Sequence, residues 1–505
     1  MGFKLGTFAE FKQDVAKYDY VAIGETLVCD DQTSINIADR FCESENFYLL
    51  ESATEGPDSV ARYSFIGVGK LAEFTSAGRD LMVETSAGKS LKQAENDSNG
   101  VTLLSEMMRT SSLGFSGKTG KGVEESLVQT AGATGYISYD YGAVLEPTVG
   151  KLPPKKIGLY DIHFIVPEIF IIFDRFSQNL HVFLLFECAD KQDVSEAVFD
   201  NLCSKLKQLT KDLSTPHFPP RLDVDDKPVD FDRFDSAVSE KVFKERVIRC
   251  LDEISRGEVF QIQIGNRMSC ATEARPIDIF RHLRKLNPSP YMFFYKYGKH
   301  HIIGASPEMM VNLEGSTMVH RPIAGTRKRT WEVEKDKKMI SELITSSKER
   351  AEHIMLVDLG RNDISRVCEP ESVTVDDLMI VEKYSHVFHM VSQVSGKLDE
   401  KYDAGDAMVA SFPNGTVVGA PKIRAMQLIA EIEDFSREFY AGSLGVFQFS
   451  GELKSTIMIR TMHLADGIAS TQASAGVVFD STPDEEWLET KNKMAACMQV
   501  MQNTK

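Results

Sequence analysis

The stretch AGSLGVFQFSGELKSTIMIRTMHLADGIASTQASAGVVF, residues 441–479, decides the fold. It divides at glycine-bearing turns into three β-rich runs, and Asp466-Gly467 is a strong hairpin signal because both positions accept positive φ. An antiparallel meander is expected. Alternation along the middle run puts Met458, Arg460 and Met462 on one face and Ile457, Ile459 and Thr461 on the other, so Arg460 sits among apolar neighbours. A buried guanidinium needs an anion. Working outward, VFKERVIRCLDEISRGEVFQIQIGNRMS reads as a helix stopped by Gly257 and then a strand, with Ile262 and Ile264 on one face and Gln261 and Gln263 on the other. Nearer the N-terminus FYLLES, YSFIGVG and NLHVFLLFE alternate with the helical DVSEAVFDNLCSKLKQLTKDL, without a regular βαβ rhythm. The fold class is therefore α+β. The run LSTPHFPPRLDVDDKPVDFDR, residues 213–233, holds four prolines and five aspartates with no apolar period. It predicts a linker, dividing the chain near residue 225 into parts 1–225 and 226–505.

Composition removes several classes of function. A chain of 505 residues has ample core. Its net charge of −17, with no basic block, argues against nucleic acid or anionic membrane as a partner. Eight cysteines form no CxxC and no zinc spacing, which suits reduced thiols. The most apolar run, FIVPEIFIIF from Phe164 to Phe173, is too short to span a bilayer and is broken by Pro167 and Glu168, and no basic-then-apolar leader opens the chain. A cytoplasmic protein that spans no membrane is expected.

Two glutamate pairs stand out. Glu349 and Glu352 lie one turn apart in SSKERAEHIMLVDLGRND, and Glu486 and Glu489 are spaced alike in STPDEEWLETKNK. The second helix opens with Thr482 as N-cap, Pro483 at its first position and Glu485 completing a capping box. Its apolar stripe is Trp487, Leu488, Met494, Ala495 and Met498, with Glu486, Glu489 and Lys493 opposite, as on a solvated face. The first, from about Glu332 to Val357, has Ile340, Leu343, Ile344, Ala351, Ile354 and Met355 as its stripe and both glutamates across from it. Leu356, projecting on the glutamate side, suggests that this side is covered. If the pairs met in one cavity, their charges would have to protonate or be neutralised by a divalent cation, and oxygen-only ligands favour Mg²⁺. Spacing alone does not bring them together.

A set of ordered motifs supplies a further step: LLESA at Leu49, NPSPYMFF at Asn287, GASPE at Gly304, PIAGTR at Pro322, KERAEHIMLVDLGRND at Lys348, YSHVFHMVS at Tyr384, FPNGTVVGAPKIRAM at Phe412, IMIRT at Ile457 and ETKNK at Glu489. Together they resemble the large subunit of anthranilate synthase, within the chorismate-utilising enzymes, over nearly the whole chain. The resemblance implies an antiparallel β-sandwich flanked by helices, with the active site in a cleft of the C-terminal part. It implies that Glu352 and Glu489, with Glu349 and Glu486, hold Mg²⁺ for the ring carboxylate of chorismate. Tyr440 and Arg460 would take the enolpyruvyl carboxylate, supported by amides at Ala475 and Gly476 and by Lys493, with Gly325 and Thr326 also lining the substrate. His389 would assist loss of the 4-hydroxyl, Thr416 would lie near the same ring edge, and Glu308 would shuttle protons. A second site, for tryptophan as inhibitor, is implied at Glu51, Ser52, Pro290, Tyr291 and Met292. Plainer readings stand beside these: His389, on a strand with His386 facing the other way, as a core or surface histidine; Glu308 as a turn brace; LLES and NPSP as packing and a rigid turn.

Within the resemblance, relatives that add water place a lysine where Gln261 stands, and relatives with a covalent lysine place it where Ala324 stands. An external nucleophile is implied, and ammonia fits. No cysteine lies in a G-x-C-x-G elbow, so a separate glutamine amidotransferase subunit is expected to supply it. Three departures lie in these motifs: Lys454 before IMIRT, Ser474 in QASAG where QAGAG is usual, and Val418 in VGAPK where SGAPK is usual. All three are expected around the substrate cleft, and Lys454 and Ser474 motivate an alternative product, 2-amino-2-deoxyisochorismate. A non-catalytic tryptophan-binding protein is the third reading.

Overall fold

The computed structural model describes residues 2–53, 62–120, 125–188, 194–225, 227–383 and 387–505. Among them two large sheets, of 13 and 12 strands, stack face to face, with antiparallel pairing apart from a short parallel contact of Tyr20–Val28 with Leu113–Phe115. The α+β sandwich follows as expected. The larger sheet runs from Gln261–Ala271 through Ile468–Val477, Thr461–Ala465, His300–Ser306, Tyr291–Tyr297 and Asn46–Glu51 to Tyr20–Val28. The smaller one carries Ile323–Lys328 and Val387–Lys397 near one end and Ser443–Gln448, Gly132–Ile137 and Ile162–Val166 towards the other. Between the sheets the apolar core is crossed by polar rings: the Tyr136 and Tyr297 hydroxyls lie 2.8 Å apart, and His163 Nδ1 is 2.8 Å from the Tyr295 hydroxyl. Helices Phe8–Lys17, Glu196–Leu213, Pro276–Leu286 and Pro483–Asn503 cover the outer face of the larger sheet. There Phe11 and Phe280 are wholly buried, each worth about 1.5–3 kcal/mol of transfer.

Residues 1–225 and 226–505 both give strands to both sheets, so the boundary near residue 225 does not separate two bodies. The proline- and aspartate-rich run instead lies along the end of the last helix, where the Asp225 amide donates to the Asn503 carbonyl at 2.9 Å. Composition identified a surface crossing. It could not tell a linker between domains from a strap on one.

Residues 441–479 are also not one meander. Ser443–Gln448 pairs with Leu453–Ile457 in the smaller sheet, whereas Thr461–Ala465 pairs with Ile468–Val477 in the larger one. Met458 to Arg460 carry the chain across, with Arg460 at φ +50°. The sequence stays apolar through the crossing because both flanking strands are buried, so alternation cannot show the break. FIVPEIFIIF does the same at Pro167-Glu168, with Ile162–Val166 in one sheet and Ile169–Asp174 in the other. The Asp466-Gly467 hairpin is as expected, with φ of +50° and +74° and Ala465 opposite Ile468.

The helix expected over 332–357 is two helices, Val333–Thr345 and Ser347–Ser365. Ser346 ends one and caps the other, accepting the Glu349 amide on its side chain. Three consecutive hydroxyl residues, Thr345 to Ser347, compete for the backbone there and favour a cap over continuation. Glu349 thus falls in the first turn, at the positive end of the second helix.

One buried ion pair joins the parts of the cleft. The Arg437 guanidinium, 1 % exposed, donates to both oxygens of Glu433 at 2.8 and 2.9 Å, to the Gln263 carbonyl at 2.7 Å and to the Val417 carbonyl at 2.9 Å. Glu433 also accepts the Gly265 amide at 2.8 Å. Removing one partner strands the other charge, so Glu433→Ala is expected to cost about 3–5 kcal/mol in urea unfolding. A loss below 1 kcal/mol would show that water replaces the pair.

Candidate active site

Both glutamate helices turn the edge carrying their acids inward. In Ser347–Ser365 the buried residues are His353, Leu356, Val357, Gly360, Asp363 and Ile364, while Ile354 is 47 % exposed. The expected stripe of Ala351, Ile354 and Met355 instead lines a surface groove with Phe260 and Ile423. In Pro483–Asn503, Glu486 and Thr490 are buried with Met494 and Met498, and Leu488 is 56 % exposed. Thr482 caps the second helix as expected, accepting the Glu485 amide with Pro483 in the first turn, but the Glu485 carboxylate takes the Thr482 hydroxyl at 2.7 Å instead of its amide, so the expected capping box is not completed.

Burial first, then repulsion from Glu349 and Glu489, pushes Glu352 above the usual carboxylate range, against a bond from Gln261 and the attraction of Lys493. Glu486 is likewise raised by burial and by Glu489, while Ser481, Lys493 and Lys348 of the other helix oppose the rise. The two pairs therefore share one field. Two of the four acids already have cationic partners: Arg327 donates to Glu349 at 2.9 Å and Lys493 meets Glu489 at 2.7 Å. No group of three or more His, Cys, Asp or Glu among the described residues is arranged to hold a metal ion as it stands. The donor chemistry nevertheless suits a hard divalent cation. All four groups are carboxylates, two are held up by burial and mutual charge, and the buried Glu486 Oε2 has no hydrogen-bond partner.

A second cluster lies at the crossing between the sheets. Burial pushes Glu308 up to about 8, and the neighbouring Thr416 and the charges of Arg460 and Lys493 only partly offset it. Its Oε1 is buried without a partner, and its carbonyl accepts the Thr456 hydroxyl at 2.7 Å, which fixes the residue. Thr416 sits in a short turn held by Asn414, whose Oδ1 accepts its amide and its hydroxyl at 2.9 Å each. His389 is 4 % exposed, and burial, then Arg460, lower it to about 4 against the Gly325 carbonyl. Its Nδ1 lies 3.0 Å from the Thr326 hydroxyl and 3.4 Å from that carbonyl, favouring the neutral tautomer with the proton on Nδ1. Gly325 has φ +69° at an irregularity in the strand pairing, and a Cβ there would come within 2.7 Å of Leu343 and 3.0 Å of Glu349. His386 lies outside the described residues.

The wall expected to take a carboxylate is built on Ile468–Val477. Lys493 donates to the Ser474 carbonyl at 3.0 Å; burial opposes its charge most strongly, but Glu489, Tyr440 and Glu486 together outweigh this and raise it. Ala475 is buried, and a Cβ on Gly476 would stand 2.8 and 2.9 Å from the amide nitrogens of Gln261 and Gln263. Tyr440, buried, meets Ser474. Gln261 donates to Glu352 at 3.3 Å, joining this wall to the acids. The sequence reading overlooked Gln263 and Arg327. The alternation of QIQIG, which puts both glutamines on one face, and the arginine closing PIAGTR are the signals that could have found them. Of the departures, Lys454 pairs with the exposed Glu314, away from the cleft, and Val418 is fully buried in the core. Only Ser474 faces the cluster.

The N-terminal set also meets. Met292 lies directly opposite Glu51 on neighbouring strands, and the Ala53 amide donates to the Ser289 carbonyl at 3.0 Å, bringing Ser52 beside Pro290 and Tyr291. Glu51 accepts Arg175 and Ser34 at 2.8 Å each and pairs with Arg284. Arg175 also donates to the Ser52 carbonyl at 2.6 Å.

A sandwich with such a cleft defines a class, and the comparisons agree: the family described as chorismate binding enzyme matches residues 45–499, and this chain belongs to it. The chain is 36% identical over 487 residues to "Anthranilate synthase component 1" of Aquifex aeolicus, covering 96% of this chain and 95% of that protein. It is also 36% identical over 461 residues to "Probable anthranilate synthase component 1" of Schizosaccharomyces pombe, covering 90% and 88%. The crystal structure of anthranilate synthase component I from Streptococcus pneumoniae superposes with a TM-score of 0.72 at 34% identity, over 88% of this chain and 95% of that one. The isochorismate synthase MenF of Escherichia coli, at 15% identity and a TM-score of 0.71, shares the fold. The chain is an enzyme of the anthranilate synthase type. No helix among the described residues is long and apolar enough to cross a membrane.

The raised Glu308 has a stability signature. The folded chain keeps its proton up to about pH 8, the unfolded chain only to about the ordinary glutamate value of 4.5, so stability is lost as pH rises through that window. Glu308→Gln, which stays neutral, is expected to melt higher than wild type at pH 8.5, the gap closing near pH 4.5. Equal melting temperatures throughout would remove Glu308 from its apolar setting.

Proposed function

We propose that this chain converts chorismate and ammonia into anthranilate and pyruvate. The observation that carries the reading is a buried acid, Glu308, that holds its proton at neutral pH beside Arg460 and Thr416. Ammonia adds at C2 and the 4-hydroxyl leaves as water; the C2 proton is then removed and the enolpyruvyl group departs as pyruvate. Glu308 gives its proton to the leaving hydroxyl, and the carboxylate so formed can take one back in the elimination. His389, neutral at this pH, serves as a hydrogen-bonding group at the ring edge rather than as an imidazolium. Arg460 and Tyr440 receive the enolpyruvyl carboxylate, with Lys493, the amides at Ala475 and Gly476, and Gly325 and Thr326 around the ring. Glu352, Glu489, Glu349 and Glu486 would hold Mg²⁺, with Arg327 and Lys493 released from two of them. A bound Mg²⁺ would supply positive charge for the ring carboxylate.

Gln261 offers no base to activate water and Ala324 no amine nucleophile, which favours external ammonia. The "component 1" in the relatives' names supports a separate glutamine amidotransferase as its source. Tryptophan, as feedback inhibitor, would sit between Glu51-Ser52 and Pro290 to Met292. Eight free cysteines are in keeping with a cytoplasmic setting.

With ammonia, Mg²⁺ and chorismate, fluorescent anthranilate and pyruvate should form in equal amounts; amination without pyruvate would leave 2-amino-2-deoxyisochorismate as product. Mg²⁺ should raise the melting temperature of wild type but not of Glu352→Gln or Glu489→Gln, and an unchanged shift in both variants would refute the ligand set. Tryptophan should inhibit wild type, and Ser52→Phe or Met292→Thr should weaken that inhibition about tenfold or more, the order of one lost anchor contact, with uninhibited turnover kept. Equal inhibition of all three would move the inhibitor elsewhere.

A further inference from the structure

We infer that Ser474 sets the substrate affinity of this enzyme by competing with the substrate carboxylate for the single proton of Tyr440. The inference rests on the reading above that Tyr440 receives a carboxylate. The Ser474 amide donates to the Tyr440 hydroxyl oxygen at 2.8 Å. The Ser474 hydroxyl donates to Gln263 Oε1 at 2.9 Å, and its oxygen lies 2.7 Å from the Tyr440 hydroxyl. Ser474 has one hydroxyl proton, and Gln263 takes it. The 2.7 Å contact is then satisfied by Tyr440 donating to Ser474 Oγ. The Gln263 carboxamide agrees with this direction, since its nitrogen points the other way, towards Gly476.

Tyr440 is thus committed on both sides before any ligand arrives. It accepts from the backbone and donates to Ser474, 2 % exposed, in a buried chain ending on Gln263. A carboxylate at Tyr440 needs that same proton. To release it, the Ser474 hydroxyl must turn from Gln263 to Tyr440, which leaves Gln263 Oε1 without its donor. A glycine at 474, as in the QAGAG form of the motif, would keep the amide bond to Tyr440 and leave its proton for the ligand. Ser474 is therefore a positioning residue whose hydroxyl weakens ground-state binding. It touches none of the groups that move protons in the reaction, so its effect falls on KM.

The test is steady-state kinetics with ammonia as nitrogen source. Ser474→Gly and Ser474→Ala should lower KM for chorismate about 3- to 10-fold, the order of one net hydrogen bond, with kcat within about twofold of wild type. Ser474→Thr, which keeps the hydroxyl, should retain the wild-type KM. In a Tyr440→Phe background Ser474→Ala should no longer change KM. An unchanged or raised KM in both Ser474→Ala and Ser474→Gly, with melting temperatures as wild type, overturns the inference. If Ser474→Gly fails to fold, Ser474→Ala decides alone. A Tyr440→Phe enzyme with unaltered KM would instead defeat the assignment of a carboxylate to Tyr440. A raised KM in Tyr440→Phe, together with no gain from Ser474→Ala when Tyr440 is intact, defeats only the competition.

Discussion

The cleft depends on one buried charge pair. Glu433 and Arg437 lie where the turn bearing Thr416, the strand bearing Gln261 and Gln263, and the segment leading to Tyr440 come together, and Arg437 donates to a carbonyl of each of the first two. A buried ion pair is a poor source of net stability, since desolvation consumes much of the attraction. Its value here is geometric. A bidentate guanidinium with fixed donor directions sets the spacing of segments far apart in the chain. Glu438, next to Arg437, extends the same device by accepting the amides of Lys156 to Leu159, three of them at 2.8–2.9 Å.

Around this frame the cleft has opposite electrostatic demands at its two ends. Four glutamates on two helices repel one another, and Arg327 and Lys493 provide partial relief. At the sheet crossing the burden is burial rather than repulsion: it holds Glu308 protonated and His389 neutral. Arg460, whose charge acts on both, has a positive φ, a conformation costing a non-glycine residue on the order of 1–3 kcal/mol. A strained residue that carries charge to the point where two sheets exchange a chain is typical of a site maintained for function. The −17 net charge, which counts against polyanionic partners, is no obstacle to a small anion that meets local cations.

The N-terminal half is bound into the same sheets. The strand Asn46–Glu51 pairs with Tyr291–Tyr297, whose other neighbour, His300–Ser306, runs on to Glu308. Met292 and Glu51 therefore lie on strands one and two places from the strand that leads to Glu308.

Local chemistry is what the sequence by itself determined. The Thr482 cap, the Gly257 stop, the Asp466-Gly467 hairpin and the in-out alternation of Gln261 to Ile264 depend on residues within a few positions, and all are found as read. The motifs likewise named residues close enough to act on one another: Glu308 with Thr416 and Arg460, Glu352 with Glu489, and Glu51 opposite Met292. Tertiary structure alone decided which faces are interior. Hydrophobic periodicity took Ala351, Ile354 and Leu488 as inward because it assumes that a buried face is apolar throughout, whereas the inward side of these two helices carries acids in its N-terminal turns and apolar residues only beyond them. It read Met458 to Arg460 as continuous strand because both sheets bury their strands alike, and it took the surface strap near residue 225 for a domain boundary. The role of Ser474 escaped for the same reason: a hydroxyl's partners, Tyr440 and Gln263, lie 34 and 211 positions away, and only the packing of two sheets brings them within hydrogen-bonding distance.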